Sequence, residues 1–250
     1  VVGKFVSEYA VNFPVKPDPS PIWDKITGKA PTDFEPEFSF IYKLFNFPHT
    51  CVVLDFNPAK TISALVIQFN TIPMNIFIVC HYIRITSQPD PMFDNLKKFT
   101  KIASPLQFIF NTYFYMVFVN SPDGEYGTKD GMVKFILHYV PFMLWHSCLL
   151  MMAIQQSWYL SLKDDMPFSW VTPGLTMFYC KLLVVWFVVY HLFVWSYITD
   201  FPLWDTSTDS GVFAANCIMY GWNIVAILIP IIFAYFEQSP NTKFTYEELE

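Results

Sequence analysis

From Gly174 to Thr199 the chain carries one formally charged side chain, Lys181, in an otherwise apolar run that lies between Pro173 and Pro202. A run of this length crosses a hydrocarbon core of about 30 Å as a helix, and the two prolines suit a helix start and stop. Inside lipid no water is present to satisfy backbone N–H and C=O groups, so a spanning segment must bond its own backbone or close into a barrel. The run is far longer than the roughly 9 to 11 residues of a membrane strand. The spacing therefore predicts a transmembrane helix, and with it an all-α integral membrane protein.

Four further stretches fit the same argument. The first runs from about Thr61 to Arg84 and is interrupted by Asn70, Pro73 and Asn75. The second, about Ala103 to Asn120, contains Asn111 and Thr112; the third, about Met132 to Leu162, holds Pro141; the fifth, about Phe213 to Phe236, holds Pro230. The expectation is about five transmembrane helices over residues 61–237, with short connections that make successive helices antiparallel neighbours. Composition agrees, since 54% of side chains are hydrophobic and 14% charged, against roughly 25% charged in soluble domains. A net charge of −6 offers no basic surface for phosphates, which excludes nucleic acid as an expected partner.

Residues 1–60 read as an extended, proline-rich N-terminal arm, with runs such as Pro14-Val15-Lys16-Pro17-Asp18-Pro19, and residues 238–250 as a polar C-terminal tail. Within the arm, Phe38 to Phe47 repeats apolar side chains at helical spacing and reads either as a short interfacial helix lying on the bilayer or as an extended aromatic segment packed on a partner subunit. Trp23, Phe34, Phe38, Phe45 and Phe47 are the expected contacts to partner subunits or lipid. Arg84, Lys97, Lys98 and Lys101 gather in the first connection between spans, while Asp200, Asp205 and Asp209 occupy the fourth. The positive-inside rule then places the arm outside and the C-terminus inside. Cys51, Cys80, Cys148, Cys180 and Cys217 form no C-x-x-C pair and read as small buried hydrophobes. With no N-x-S/T acceptor triplet in the sequence, an organelle membrane is expected, the mitochondrial inner membrane in particular.

Ionisable and amide groups inside spans are the candidate functional residues, because burying a charge there costs about 2.5 to 3.5 kcal/mol on insertion scales. Lys181 can snorkel to the near interface or serve a proton or substrate path, the latter implying a small transporter or channel subunit. His138, His146 and His191 raise bis-histidine haem, but at 1.5 Å per residue they predict no level pair. The expectation is accordingly no cofactor beyond structural lipids. Asn70, Asn75, Asn111, Thr112, Gln155, Gln156, Asn216 and Asn223 read as interhelical hydrogen-bond partners.

The segments Phe110-Asn111-Thr112-Tyr113-Phe114-Tyr115 and Leu137-His138-Tyr139-Val140-Pro141-Phe142, with the aromatic helices that follow, resemble the androgen-induced/rolling-stone-like family of intramembrane lipid esterases. The resemblance covers residues 103–236. It implies Thr112 as nucleophile and His138 as base on neighbouring helices. The chain departs from the family in having Lys134 where an Asn-His pair precedes the helix, and in its long arm. No P-loop, G-x-S-x-G elbow or H-E-x-x-H is present. The reading from the residues themselves is a non-catalytic accessory or scaffolding subunit of a larger membrane complex, in contact with other membrane subunits and lipids. The lipid-ester hydrolase is the alternative.

Overall fold

The computed structural model describes residues 40–46, 59–120, 126–162 and 173–223. These form helices α1 (Phe40–Phe45), α2 (Ala59–Thr86), α3 (Asp94–Tyr113), α4 (Met116–Val119), α5 (Lys129–Leu162), α6 (Pro173–Ile198) and α7 (Asp209–Asn223), with a 3₁₀ turn at Pro91–Phe93. No strand occurs among the described residues. Four helical stretches, Thr61–Thr86, Pro91–Val119, Lys129–Leu162 and Gly174–Ile198, are long and apolar enough to cross a membrane. The expected fifth is described only as α7, 15 residues to Asn223, and its remainder lies outside the described residues. So do most of the arm, the tail, Asn223's side chain, and Trp23, Phe34, Phe38 and Phe47.

The long helices pack in chain order. α2 rests on α3, α3 on α5, α5 on α6 and α6 on α7, so α5 is central and α2 and α7 form the two edges. The main core joins α1, α5, α6 and α7 through side chains such as Phe45, Phe135, Leu183, Phe193 and Trp222. A smaller cluster of Ile85, Phe93, Leu96 and Tyr159 ties the end of α5 to the α2–α3 corner.

Two sequence expectations change here. α2 continues without a break through Asn70, Pro73 and Asn75, because a membrane helix tolerates proline when neighbours and local adjustment re-satisfy the backbone. Lys97, Lys98 and Lys101 lie on α3 rather than in a loop. The α2–α3 connection is tight: Asp90 accepts the Met92 N–H at 2.8 Å and Pro91 opens the 3₁₀ turn, so the helix begins well before the apolar run. Lys97 pairs with Asp94 at 3.0 Å on that first turn.

Residues Phe40–Phe45 of the expected 38–47 segment are helical, as α1, and the apolar face of this helix is turned into the chain rather than to lipid or a partner. Phe40, Ile41, Leu44 and Phe45 are all buried by the chain itself, Phe45 to 2% exposure. Its ring stacks on Phe193 and meets Phe135 and Tyr197 edge-on. Helical periodicity identifies the apolar face and cannot show what covers it. Asn46, with φ 55°, ends the helix in the left-handed region that asparagine tolerates, and its side-chain amide donates to the Thr206 carbonyl at 3.2 Å.

The α6–α7 connection is closed by side chains. Tyr197 donates to the Trp204 carbonyl at 2.8 Å and shares a 2.7 Å bond with Thr206. Thr208 caps α7, accepting the Gly211 N–H at 3.1 Å. Asp205 accepts from the Ser207 hydroxyl and N–H, and these two bonds hold its carboxyl below the usual carboxylate range.

α7 meets α6 at close range where Trp186 lies beside Gly221, donating its indole N–H to the Ile218 carbonyl at 2.8 Å. A Cβ on Gly221 would come within 2.2 Å of the indole. Gly221→Ala should therefore lower stability by about 1 to 3 kcal/mol through overpacking, read as a shift in detergent-mediated unfolding. An unfolding curve matching wild type would show that α7 does not pack on Trp186 in this way.

Candidate functional site

Polar groups inside the spans gather in three places. The first is at the α2–α3 seam. Asn111 donates to Asn75 at 2.8 Å and to the Thr71 carbonyl at 3.2 Å, and Asn75 donates to the Thr112 hydroxyl at 3.1 Å. The second lies between α3 and α5, where buried Gln107 donates to Gln155 and Gln155 to Ser104 at 3.2 Å. The Cys148 thiol meets the Gln107 carbonyl at 3.4 Å beside them.

The third is the histidine pair at the α5–α6–α7 junction. His146 and His191 face each other with ring centroids 5.4 Å apart. Their surround is aromatic: Phe142 at 4.2 Å, Tyr190 at 5.0 Å and Trp222 at 5.0 Å from His146, and Phe187 at 4.3 Å from His191. Tyr139 shares a short hydrogen bond with Nδ1 of His191. Nε2 of His191 and the Trp222 indole N–H are buried with no hydrogen-bond partner among the described residues.

Counting depth along two straight helices does not bring His146 level with His191, yet the structure makes them neighbours. Such a count takes no account of helix tilt or of where each helix enters the bilayer. The rings are edge-to-face at direct packing distance. Among the described residues no three His, Cys, Asp or Glu side chains are placed to hold a metal ion. A cavity of about 20 Å³ beside the cluster, lined by Ile41, Phe45, Phe135, His138, Tyr139 and Tyr190 among others, is sized for about one water molecule. Chemically, the Tyr139–His191 hydrogen bond can hold α5 to α6.

The residues implied by the esterase resemblance have different hydrogen-bond partners. Thr112 is exposed on α3 and bonded to Asn75. His138 is buried on α5, and its Nδ1 lies 2.8 Å from the Val117 carbonyl and 3.0 Å from that of Asn120. Both carbonyls only accept, so Nδ1 carries the proton and closes the end of α4. No hydrogen bond joins Thr112 to His138.

Lys181 points outward from α6 into the exposed surface. Asn216 bonds within its own helix, to the Val212 carbonyl at 3.0 Å, and this bond is not an interhelical one. Among the cysteines, Cys148 is buried, while Cys80 and Cys217 are exposed on helix faces directed away from the bundle. Cys51 lies outside the described residues.

Three contributors escape a reading of the sequence. Gln107 and Ser104 complete the Gln155 network, and their spacing of three residues on one helix face is the available signal. Arg84 sits 4.1 Å over the Tyr159 ring, a cation–π contact that sequence spacing alone does not suggest.

No protein-family model, curated protein or solved structure matches the chain.

If the Tyr139–His191 bond holds α5 to α6, a double-mutant cycle with Tyr139→Phe and His191→Leu should give a coupling of about 0.6 to 1.7 kcal/mol, the range for interhelical bonds in membranes. Additive effects would show that the two groups do not interact.

Proposed function

We propose that this chain is a non-catalytic, multi-pass accessory subunit of a larger membrane protein complex. The observation that carries this reading is the environment of α2. Along the Thr61–Thr86 span only Ser63, Ile78, His81 and Ile85 are buried, a stripe along one side whose His81 and Ile85 meet Tyr159 of α5. The remaining circumference presents Leu65, Val66, Phe69, Ile72, Ile76, Val79 and Ile83 outward, and Gln68 and Asn70 with them. Lipid suits the apolar members of that surface. It does not suit the amides, whose hydrogen-bonding groups find no partner in hydrocarbon.

The interior supports the same reading. Polar side chains there are engaged in holding helices together, as in the Asn75–Asn111 and Gln107–Gln155 pairs, and the cavity beside the histidines is of water size. Structural lipids are expected over the rest of the apolar surface, and the absence of glycosylation triplets in the sequence favours an organelle membrane such as the mitochondrial inner membrane.

The test is the size of the native particle. Solubilised gently from its own membrane, the chain should run in a particle well above its 29.2 kDa with other proteins in fixed ratio. A monodisperse monomer would overturn the proposal. A lipid-ester hydrolysis activity lost in both Thr112→Ala and His138→Ala, with folding intact, would replace it by the esterase.

A further inference from the structure

The outward face of α2 is patterned as a helix-packing seam. Leu65, Gln68, Ile72, Asn75 and Val79 follow one another at spacings of 3, 4, 3 and 4 residues, the repeat that keeps one stripe facing a partner in a left-handed helix pair. Ile72 and Val79 are β-branched and alternate with the two amides. Leu65, Ile72 and Val79 are 56%, 62% and 46% exposed, so the described residues leave these three positions uncovered. Asn75, at one edge, is already bonded to Asn111 and Thr112 across α3.

Gln68 is the group that this arrangement leaves over. It is exposed and makes no hydrogen bond or ion pair with the other described residues. If a core of about 30 Å is centred on the 26-residue span Thr61–Thr86, Gln68 lies roughly 7 Å inside the hydrocarbon at 1.5 Å per residue. A primary amide there has two donors and an acceptor, and lipid tails satisfy none of them.

Resting on the accessory-subunit reading, we infer that this seam docks a transmembrane helix of a neighbouring subunit, one carrying an amide or hydroxyl side chain level with Gln68. Its remaining contact positions are apolar, to meet Leu65, Ile72 and Val79. A second copy of this chain is the less suitable occupant. Asn70 is exposed too and, two residues on, points about 160° away from Gln68. A two-fold pair built on the Gln68 seam would leave Asn70 in lipid, whereas a larger assembly can cover both sides of α2.

The test uses the full chain in phosphatidylcholine vesicles, with fluorescently labelled polyleucine transmembrane peptides as probe, one carrying a single asparagine at the depth of Gln68 and one all-leucine. Energy transfer should show the asparagine peptide associating at least about threefold more strongly than the all-leucine peptide, the scale of one interhelical bond. Gln68→Leu should abolish the difference and Gln68→Asn should keep it. Indifference to the peptide asparagine, or an unchanged preference in Gln68→Leu, would overturn the seam. Transfer between two copies of the chain that is lost in Gln68→Leu would overturn the heterologous occupant in favour of a dimer. The parent reading is scored separately by native particle size: a large particle together with indifference to Gln68→Leu in the vesicle assay leaves the subunit standing and removes the seam, and a monomer removes both.

Discussion

Hydrocarbon offers no hydrogen bonds, and the polar pairs between neighbouring helices of this bundle answer that constraint. Asn75 with Asn111, Gln107 with Gln155, and Tyr139 with His191 each pair one helix to its neighbour. Together they link α2 to α3, α3 to α5 and α5 to α6, the same order in which the helices pack. Lipid tails are as apolar as leucine, so hydrophobic burial gives little drive for one helix to choose another. The polar pairs supply directional contacts to a packing otherwise made by large rings, and they specify which faces meet.

Aromatic side chains complete the α5–α6–α7 half. With 27 phenylalanines and 8 glycines, the chain is poorly equipped for close backbone contact. It fills the space between helices with rings instead, from Phe45 and Phe193 at one end to His146 and Trp222 deeper in. Gly221 is the local exception that admits Trp186 against α7. The other half is thinner: α2 is held mainly by its contact with α3, and its outer circumference is exposed. Among the described residues the bundle thus has a ring-packed half and an open edge.

Much of the architecture is legible in the sequence. Apolar run length locates the helices seen at Ala59–Thr86, Lys129–Leu162 and Pro173–Ile198, because transfer into lipid depends on composition along the chain. Where a helix continues beyond the apolar run, as α3 does through Lys97 and Lys101, hydropathy loses the signal and capping at Asp90 carries it. The polar partners are legible as residue types at Asn75, Asn111 and Gln155. Their pairing is not, since it depends on the rotation and tilt of separate helices. The same limit separates His146 from His191 by depth along the chain when they are neighbours in space, and gives Phe45 an outward role when the bundle covers it.

The central claim is that the open stripe of α2 meets protein in its native membrane. Carbene labelling from a lipid-borne photoreactive probe measures this directly, comparing the chain in native membrane with the purified chain in vesicles. Leu65, Ile72 and Val79 should be labelled in vesicles and protected in the native membrane, while Val185, exposed on the outer face of α6, reports the probe in both. Equal labelling of the α2 stripe in the two settings would contradict the account, leaving α2 a lipid-facing helix in a protein complete by itself.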